Sequence, residues 1–269
     1  MIGSPKVFQT APPQPASNAR SIIGPIFVGG ADARIALLDA TAPHAVVDES
    51  SVDLTGEPAF VDRILARHDA AARASGALIV HCCGFDSIPT DLGVLFTVLQ
   101  LPRDRPITID GYFEGKAGFS GGTFASALGA FAEPRGPRPA RAPRAPGAPQ
   151  VGKRRRGLHY NQQLRRWALP LPTIDPQVAL RSARARGDYG PDFRYGHYLA
   201  LKSLPRVAGT VAGVGALAVL ARLGPARRLL QRLRPAGTGP DEATRKHSWY
   251  RFTFLGQAGD VRVVTQVAG

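Results

Sequence analysis

Apolar residues along this chain keep no single period, and the places where the period changes mark its elements. Residues 1–20 are dominated by Pro, Ser, Ala and Gln and offer no apolar face, so they are expected to be disordered. Ile22 to Val28 reads as a short strand broken at Pro25, and Ala33 to Leu38 as a second strand ending at Asp39. Val46 to Leu54 reads as a third. A helix is expected from Thr55-Gly56-Glu57-Pro58, with proline in the first turn, where its missing N–H costs nothing. Phe60, Ile64, Leu65 and Ala71 mark its buried face, and Gly76 closes it. An apolar run from Ala77 to Val80 then ends at His81. The compact loop Cys82-Cys83-Gly84-Phe85-Asp86-Ser87 follows, and Pro89 and Asp91 open a helix with apolar residues at Leu92, Leu95, Phe96 and Leu99.

Further along, Arg105 to Glu114 alternates as a strand should, and Phe119 to Thr123 is a glycine loop leading into a small-residue helix ending at Phe131. Tyr160 to Trp167 looks helical, Leu169 to Pro176 is held extended by prolines, and Val178 to Arg186 is a short amphipathic helix. Phe193 to Leu201 is a strand. Val207 to Leu223 is the most hydrophobic stretch, with one charge near its end at Arg222 and a basic flank of Arg227, Arg228, Arg232 and Arg234 beyond. It is somewhat shorter than the roughly 20 residues a spanning helix needs. A buried helix, a contact in the plane of a membrane and a marginal span all fit this pattern. Gly237 to Pro240 is a linker, and Trp249 to Leu255 with Val261 to Val267 make a hairpin around Gly256 to Asp260.

Composition changes this picture in two places. The net charge of +14 is uneven, because much of it lies in the low-complexity segment Glu133 to Gly157, where proline and arginine alternate before a lysine–arginine cluster. Such a segment cannot bury a core and is expected to be a disordered surface insert. It could tether the chain to an anionic membrane surface; nucleic acid is not favoured, since no aromatic residues interleave with the arginines. The chain has only two cysteines, and they are adjacent, so a disulfide framework is excluded and a reducing compartment is expected. The N-terminus has no apolar core preceding a cleavage site, unlike a signal peptide.

The loop after Val80 concentrates the chemistry: a thiol pair, a glycine, a carboxylate and a hydroxyl in six residues, at the point where a strand meets a helix N-terminus. Ligands of open α/β sheets bind at such strand ends. Cys83, Asp86 and Ser87 are the candidate catalytic groups, and Gly84 and Phe85 the candidate cofactor contacts. Each has a structural reading beside it, as buried thiols or as helix caps. No metal site is expected, because His81 and two neighbouring cysteines cannot wrap a tetrahedron. A serine hydrolase is also disfavoured, because Ser87 lacks a G-x-S-x-G elbow. Ser120, Gly121, Gly122 and Thr123 form a second candidate, for substrate, since the paired glycines permit close backbone approach.

Several longer motifs occur in order: VDLTGEP at Val52 to Pro58, CGFDSIPTDLG at Cys83 to Gly93, FSGGTFAS at Phe119 to Ser126, RWALPLPTIDP at Arg166 to Pro176, YGPDFRYGHY at Tyr189 to Tyr198, and GTGP at Gly237 to Pro240. Together they resemble the saccharopine dehydrogenase-like oxidoreductases, closest to the actinobacterial trans-acting enoyl reductase branch. The resemblance implies an α/β fold: an incomplete Rossmann-like parallel sheet over residues 21–104, then a second α+β domain over 105–269 with a mixed or antiparallel sheet. It implies NADP or NAD as cofactor, with Asp39 at the adenosine ribose. It also implies reduction of a double bond on a lipid or polyketide chain in glycolipid biosynthesis. The expected location is cytoplasmic, at or near the inner face of the plasma membrane, and self-association stays open. No G-x-x-G-x-x-G phosphate loop is found and the resemblance implies further chain beyond Gly269, so the chain is expected to be shortened at both ends relative to the family. A lipid-associated protein without cofactor binding is the alternative.

Overall fold

The computed structural model describes residues 51–52, 58–75, 79–85, 87–116, 121–132, 147–235 and 239–269. The strand expectations over Ile22 to Leu38, the disorder expected of residues 1–20, and Asp39 lie outside these residues. Within them, β1 (Ser51–Val52), α1 (Pro58–Ser75) and β2 (Ile79–Val80) form a parallel strand–helix–strand unit, with Ser51 opposite Ile79 and Val52 opposite Val80. This is the parallel α/β unit that the pattern predicted.

The second sheet has seven strands and is mixed. They are β3 (Ile107–Lys116), β4 (Gln150–Lys153), β5 (His159–Asn161), β6 (Arg166–Pro170), β7 (Asp192–Leu201), β8 (Trp249–Ala258) and β9 (Val261–Ala268). The order is β5-β6-β7-β3-β8-β9, with β4 also paired to β7. β3 runs parallel to β7, from Ile107 opposite Phe193 to Phe113 opposite Leu199, and antiparallel to β8 along its whole length. It is thus the axis of the sheet.

Two of the helices cover one face. α2 (Ile88–Leu99) packs on β3, β8 and β9, and α4 (Asp175–Arg186) packs on β7, β4 and α2. The core between them joins Val94 and Val98 of α2, Leu180 of α4, and Ile107, Ile109, Phe193, Tyr195, Phe252 and Phe254 of the sheet. The period of two in β3 sends Asp110, Tyr112 and Glu114 to the other face. There Tyr112 and Tyr198 stack with ring centroids 5.4 Å apart, among Ala168, Ala200, Leu164 and Leu255. The remaining helices are α3 (Gly121–Ala132), α5 (Leu204–Arg222), α6 (Gly224–Leu233) and the short α7 (Glu242–Lys246). α3, α5 and α6 pack on one another, away from the core.

The structure corrects two expectations. Residues 160–167 belong to a β-hairpin, β5–β6, in which Tyr160 faces Trp167; aromatic and polar residues there pair across strands better than they would line a helix. The insert at 133–157 is not a loop to its end. Gln150–Lys153 is a strand parallel to β7, and Val151 is buried in the core. α2 lies before the expected boundary at residue 104 and packs on the second sheet. Of the three readings open for the apolar stretch, a buried core helix does not fit α5, since only 11% of its apolar window is buried.

How close α2 sits to the sheet depends on Gly93. A Cβ there would lie 2.2 Å from the Phe254 ring, whereas one on Gly129 of α3 would meet nothing within 4 Å. Gly93→Ala should therefore cost about 1–3 kcal/mol through overpacking, and Gly129→Ala should be neutral or slightly stabilising. Urea denaturation of the two variants checks this; equal stabilities would contradict the close approach.

Candidate active site

The loop between β2 and α2 is held from below. Cys82 takes a left-handed backbone, with φ of 61°, and is buried with Val61 and Ile174. For a residue with a Cβ that conformation is costly and is kept only where surroundings demand it. The Gly84 carbonyl accepts from the amides of Ser87 (3.2 Å) and Ile88 (3.1 Å), which turns the chain into the helix. Cys83 is half-buried, and its thiol donates to the Val80 carbonyl over a sulfur distance of 3.7 Å. Ser87 is fully buried; its hydroxyl has no hydrogen-bond partner and does not cap α2. The capping role read from the sequence is therefore not the one it plays. Phe85 is 52% exposed and stands edge-on to Tyr250, centroids 4.5 Å apart. Asp86 lies outside the described residues.

Phe85 and Tyr250 locate the loop relative to the sheet. Tyr250 is paired with Gly115, one residue before the end of β3, and β7 ends at the same side, where Leu201 pairs with Trp167. The loop therefore stands at the carboxyl ends of the parallel pair β3 and β7. Gly121, Gly122 and Thr123 are the first three residues of α3, which follows β3, and Thr123 is exposed. Ser120, in the segment between, is not among the described residues. Both candidate groups thus share one end of the sheet, where ligands of parallel strands bind.

Two polar clusters escaped the sequence reading. On the outer face, Glu114 takes one bond each from Arg166 Nε and Arg251 Nη2, both 2.6 Å. Burial works against the Glu114 carboxylate, but the two guanidiniums outweigh it and hold its pKa below the ordinary value. Further along the same face, Asp110 lies 3.5 Å from Arg154 Nε and 3.6 Å from Arg156 Nη1. There burial wins and the carboxyl is pushed up despite both arginines. Tyr112 accepts from Asn161 Nδ2 at 2.9 Å, and burial with the nearby Asp110 charge raises Tyr198 to about 12. The alternation Asp110, Tyr112, Glu114 was the available signal for this face.

On the inner face, buried Asp175 at the start of α4 accepts from Thr90 of α2 (3.4 Å) and from Thr173. Asp175 Oδ2 also lies 3.8 Å from His197 Nε2, and the Tyr195 hydroxyl is 2.8 Å from His197 Nδ1. Burial, helped by the Lys153 charge, pushes His197 down to about 3, so the ring is neutral and the Asp175 contact is not an ion pair. The arrangement suits Nε2–H facing the carboxylate and Nδ1 accepting from Tyr195. This chain ties α2, and with it the loop, to α4 and β7. No cluster of metal-ligating side chains occurs among the described residues.

This site and fold define an α/β protein with a strand–loop–helix site at the carboxyl edge of a mixed sheet. The chain is similar to several known proteins. A Mycobacterium tuberculosis protein named as a trans-acting enoyl reductase is 33% identical over 267 residues, spanning 86% of this chain and 62% of its own. A rat saccharopine dehydrogenase-like oxidoreductase is 26% identical over 250 residues, 82% of this chain and 58% of its own. An Arabidopsis thaliana protein named as a mitochondrial saccharopine dehydrogenase-like oxidoreductase is 33% identical over 147 residues, 49% of this chain and 31% of its own. The chain is similar to saccharopine dehydrogenase-like oxidoreductases, with a relative in the enoyl reductase branch, and spans at most about three fifths of the length of these relatives. No family model and no solved structure matches it.

The neutral, buried His197 makes stability depend on pH. Its folded pKa of about 3 lies below the ordinary 6.5, so the unfolded chain takes up a proton first as pH falls. Stability from this residue is complete above pH 6.5 and is lost towards pH 3, by up to about 1.4 kcal/mol per pH unit. Because carboxylates titrate in the same window, the informative quantity is wild type minus His197→Gln by denaturation at several pH values. That difference should shrink as pH falls; a flat difference would mean the ring titrates normally.

Proposed function

We propose that the chain is part of a nicotinamide-dependent oxidoreductase that reduces a carbon–carbon double bond on a lipid or polyketide-derived chain, in the assembly of a glycolipid. The observation that carries this reading is the placement of α3 and α5. β3 and β7 run parallel, so the helices that follow them start at the same end of the sheet, and they pack together. The exposed Thr123 therefore stands beside a helix whose apolar side chains face outward. A hydrocarbon substrate suits that neighbourhood better than an amino acid does. The M. tuberculosis relative's name supplies the reaction class.

The family resemblance brings NADP or NAD, which supplies a hydride when bound. The described residues fit the cofactor's flat ring in one respect: Phe85 offers an exposed aromatic surface beside Tyr250, next to the buried Gly84. In reduction of an alkene conjugated to a carbonyl, hydride adds at one carbon and a proton at its neighbour. Cys83, half-buried with its sulfur 3.7 Å from the Val80 carbonyl, would give that proton, with Asp86 as the other group in the loop. Ser87, sealed and unpartnered, would act by shaping the loop. Gly121, Gly122 and Thr123 would contact the substrate.

A second reading has its own support. A Caenorhabditis elegans protein named as a lipid droplet localized protein is 45% identical over 47 residues, 18% of this chain. Under this reading the chain would sit on lipid without binding a cofactor. Fluorescence titration with NADPH and NADH separates the two. The oxidoreductase reading expects saturable binding at micromolar concentrations, lost in Gly84→Trp and weakened several-fold in Phe85→Ala. No binding at millimolar cofactor would exclude catalysis by this chain and leave the lipid-associated alternative.

A further inference from the structure

We infer that α5 and α6 form an anchor that lies in the plane of an anionic lipid bilayer without crossing it. α5 has 19 residues and exposes Leu204, Val211, Val214, Val219 and Leu220, with Val219 at 61%, and Leu223 just beyond it is exposed too. Among its residues only Val207 and Ala221 are buried. Its charges, Arg206 and Arg222, stand near its two ends. No element among the described residues covers these side chains, and α6 packs beside α5.

α6 divides cleanly by helical period. Leu229, Leu230 and Leu233 share one side, with Leu233 73% exposed, while Arg228 and Arg232 take the opposite side and Arg227 and Arg234 flank it. Arg228, Gln231, Arg232 and Pro235 line a shallow depression there. From Arg222 to Arg234 the chain carries five arginines and no acidic residue. A helix with leucines on one side and arginines on the other sits at the boundary of acyl chains and headgroups, its guanidiniums among the phosphates. That charge selects an anionic surface.

Length alone would allow α5 to cross, since its 19 residues extend about 28 Å. The connections forbid it. The far end of α5 is fastened to the far end of α3 through Arg222 Nε and the Phe131 carbonyl, 3.4 Å apart. Were α5 to span, both following segments would have to return through hydrocarbon to reach the sheet. Residues 133–146 contain four arginines and five prolines, and 234–248 contain Arg234, Asp241, Glu242, Arg245 and Lys246. Neither can form the fully hydrogen-bonded apolar helix that a crossing requires. The helix therefore lies on the bilayer, beside the sheet.

The test uses the full chain and vesicles of phosphatidylcholine, alone or with about a third phosphatidylglycerol, in a co-sedimentation assay. It needs no turnover and is independent of whether a cofactor binds. Wild type should bind the anionic vesicles and barely bind the neutral ones. Replacing Arg228, Arg232 and Arg234 with Gln should weaken binding to anionic vesicles at least about tenfold. Val211→Glu with Val219→Glu should abolish binding to both, while circular dichroism stays that of wild type. In vesicle-bound Arg234→Cys, an impermeant maleimide added outside should label the new thiol fully. Equal binding to both vesicles, or no binding to either, overturns the proposal. Protection of that thiol until detergent is added overturns it too, by making α5 a span.

Discussion

The distance between α2 and the sheet is the constraint on which the site depends, and it is set by aromatic rings meeting glycines. The Phe254 ring occupies the space a side chain at Gly93 would need, and Tyr195 Oη stands 2.5 Å from where a Cβ of Gly111 would be. Gly256 leaves room in the same way for Thr97, whose hydroxyl lies 2.5 Å from that of Thr265 on β9. Because α2 is pressed this closely, its first turn delivers Thr90 to Asp175, and the loop before it reaches Tyr250. A bulkier residue at Gly93 would lift the helix and carry the thiols and Phe85 with it.

The sheet separates packing from charge. Its inner face buries rings and aliphatic chains, with polar contacts threaded through it, among them the chain from Thr90 to Tyr195 and the Thr97–Thr265 pair. Its outer face holds carboxylates against arginines. Asp110 and Glu114 are four residues apart on one strand, yet burial raises the first while two short arginine bonds lower the second. Two differences produce the contrast: Asp110 is the more deeply buried, and its guanidiniums stand beyond 3.4 Å whereas those on Glu114 stand at 2.6 Å.

Much of this was legible in the chain. The parallel unit around α1, the helix after the cysteine loop, the strands β3 and β7, and the final hairpin all follow from local period. The β5–β6 hairpin did not, because its partners Tyr160 and Trp167 are short aromatic signals without a glycine turn, and helical spacing fits them equally well. β4 was hidden by its neighbours: proline and arginine mask Val151, whose burial depends on β7 some forty residues later. The clusters at Glu114 and Asp175 are long-range for the same reason. Each joins residues from three elements, and no spacing within one segment announces them. The loop itself was legible as a dense run of reactive groups, but the burial of Ser87 was not, since a serine before a helix ordinarily serves as its cap.

The alternation of β3 has a consequence for how the strand can change over time. Its length matters more than any one side chain in it. Ile107, Ile109 and Phe113 face inward, and Asp110, Tyr112 and Glu114 face outward. A conservative replacement at any of these disturbs one face. Inserting or deleting a single codon would exchange the faces beyond it, driving carboxylates among phenylalanine rings and presenting apolar groups to Arg166 and Arg251. With β7 and β8 registered on both sides, no edge is free to absorb the slip. Substitution is therefore the only inexpensive route by which this strand can drift.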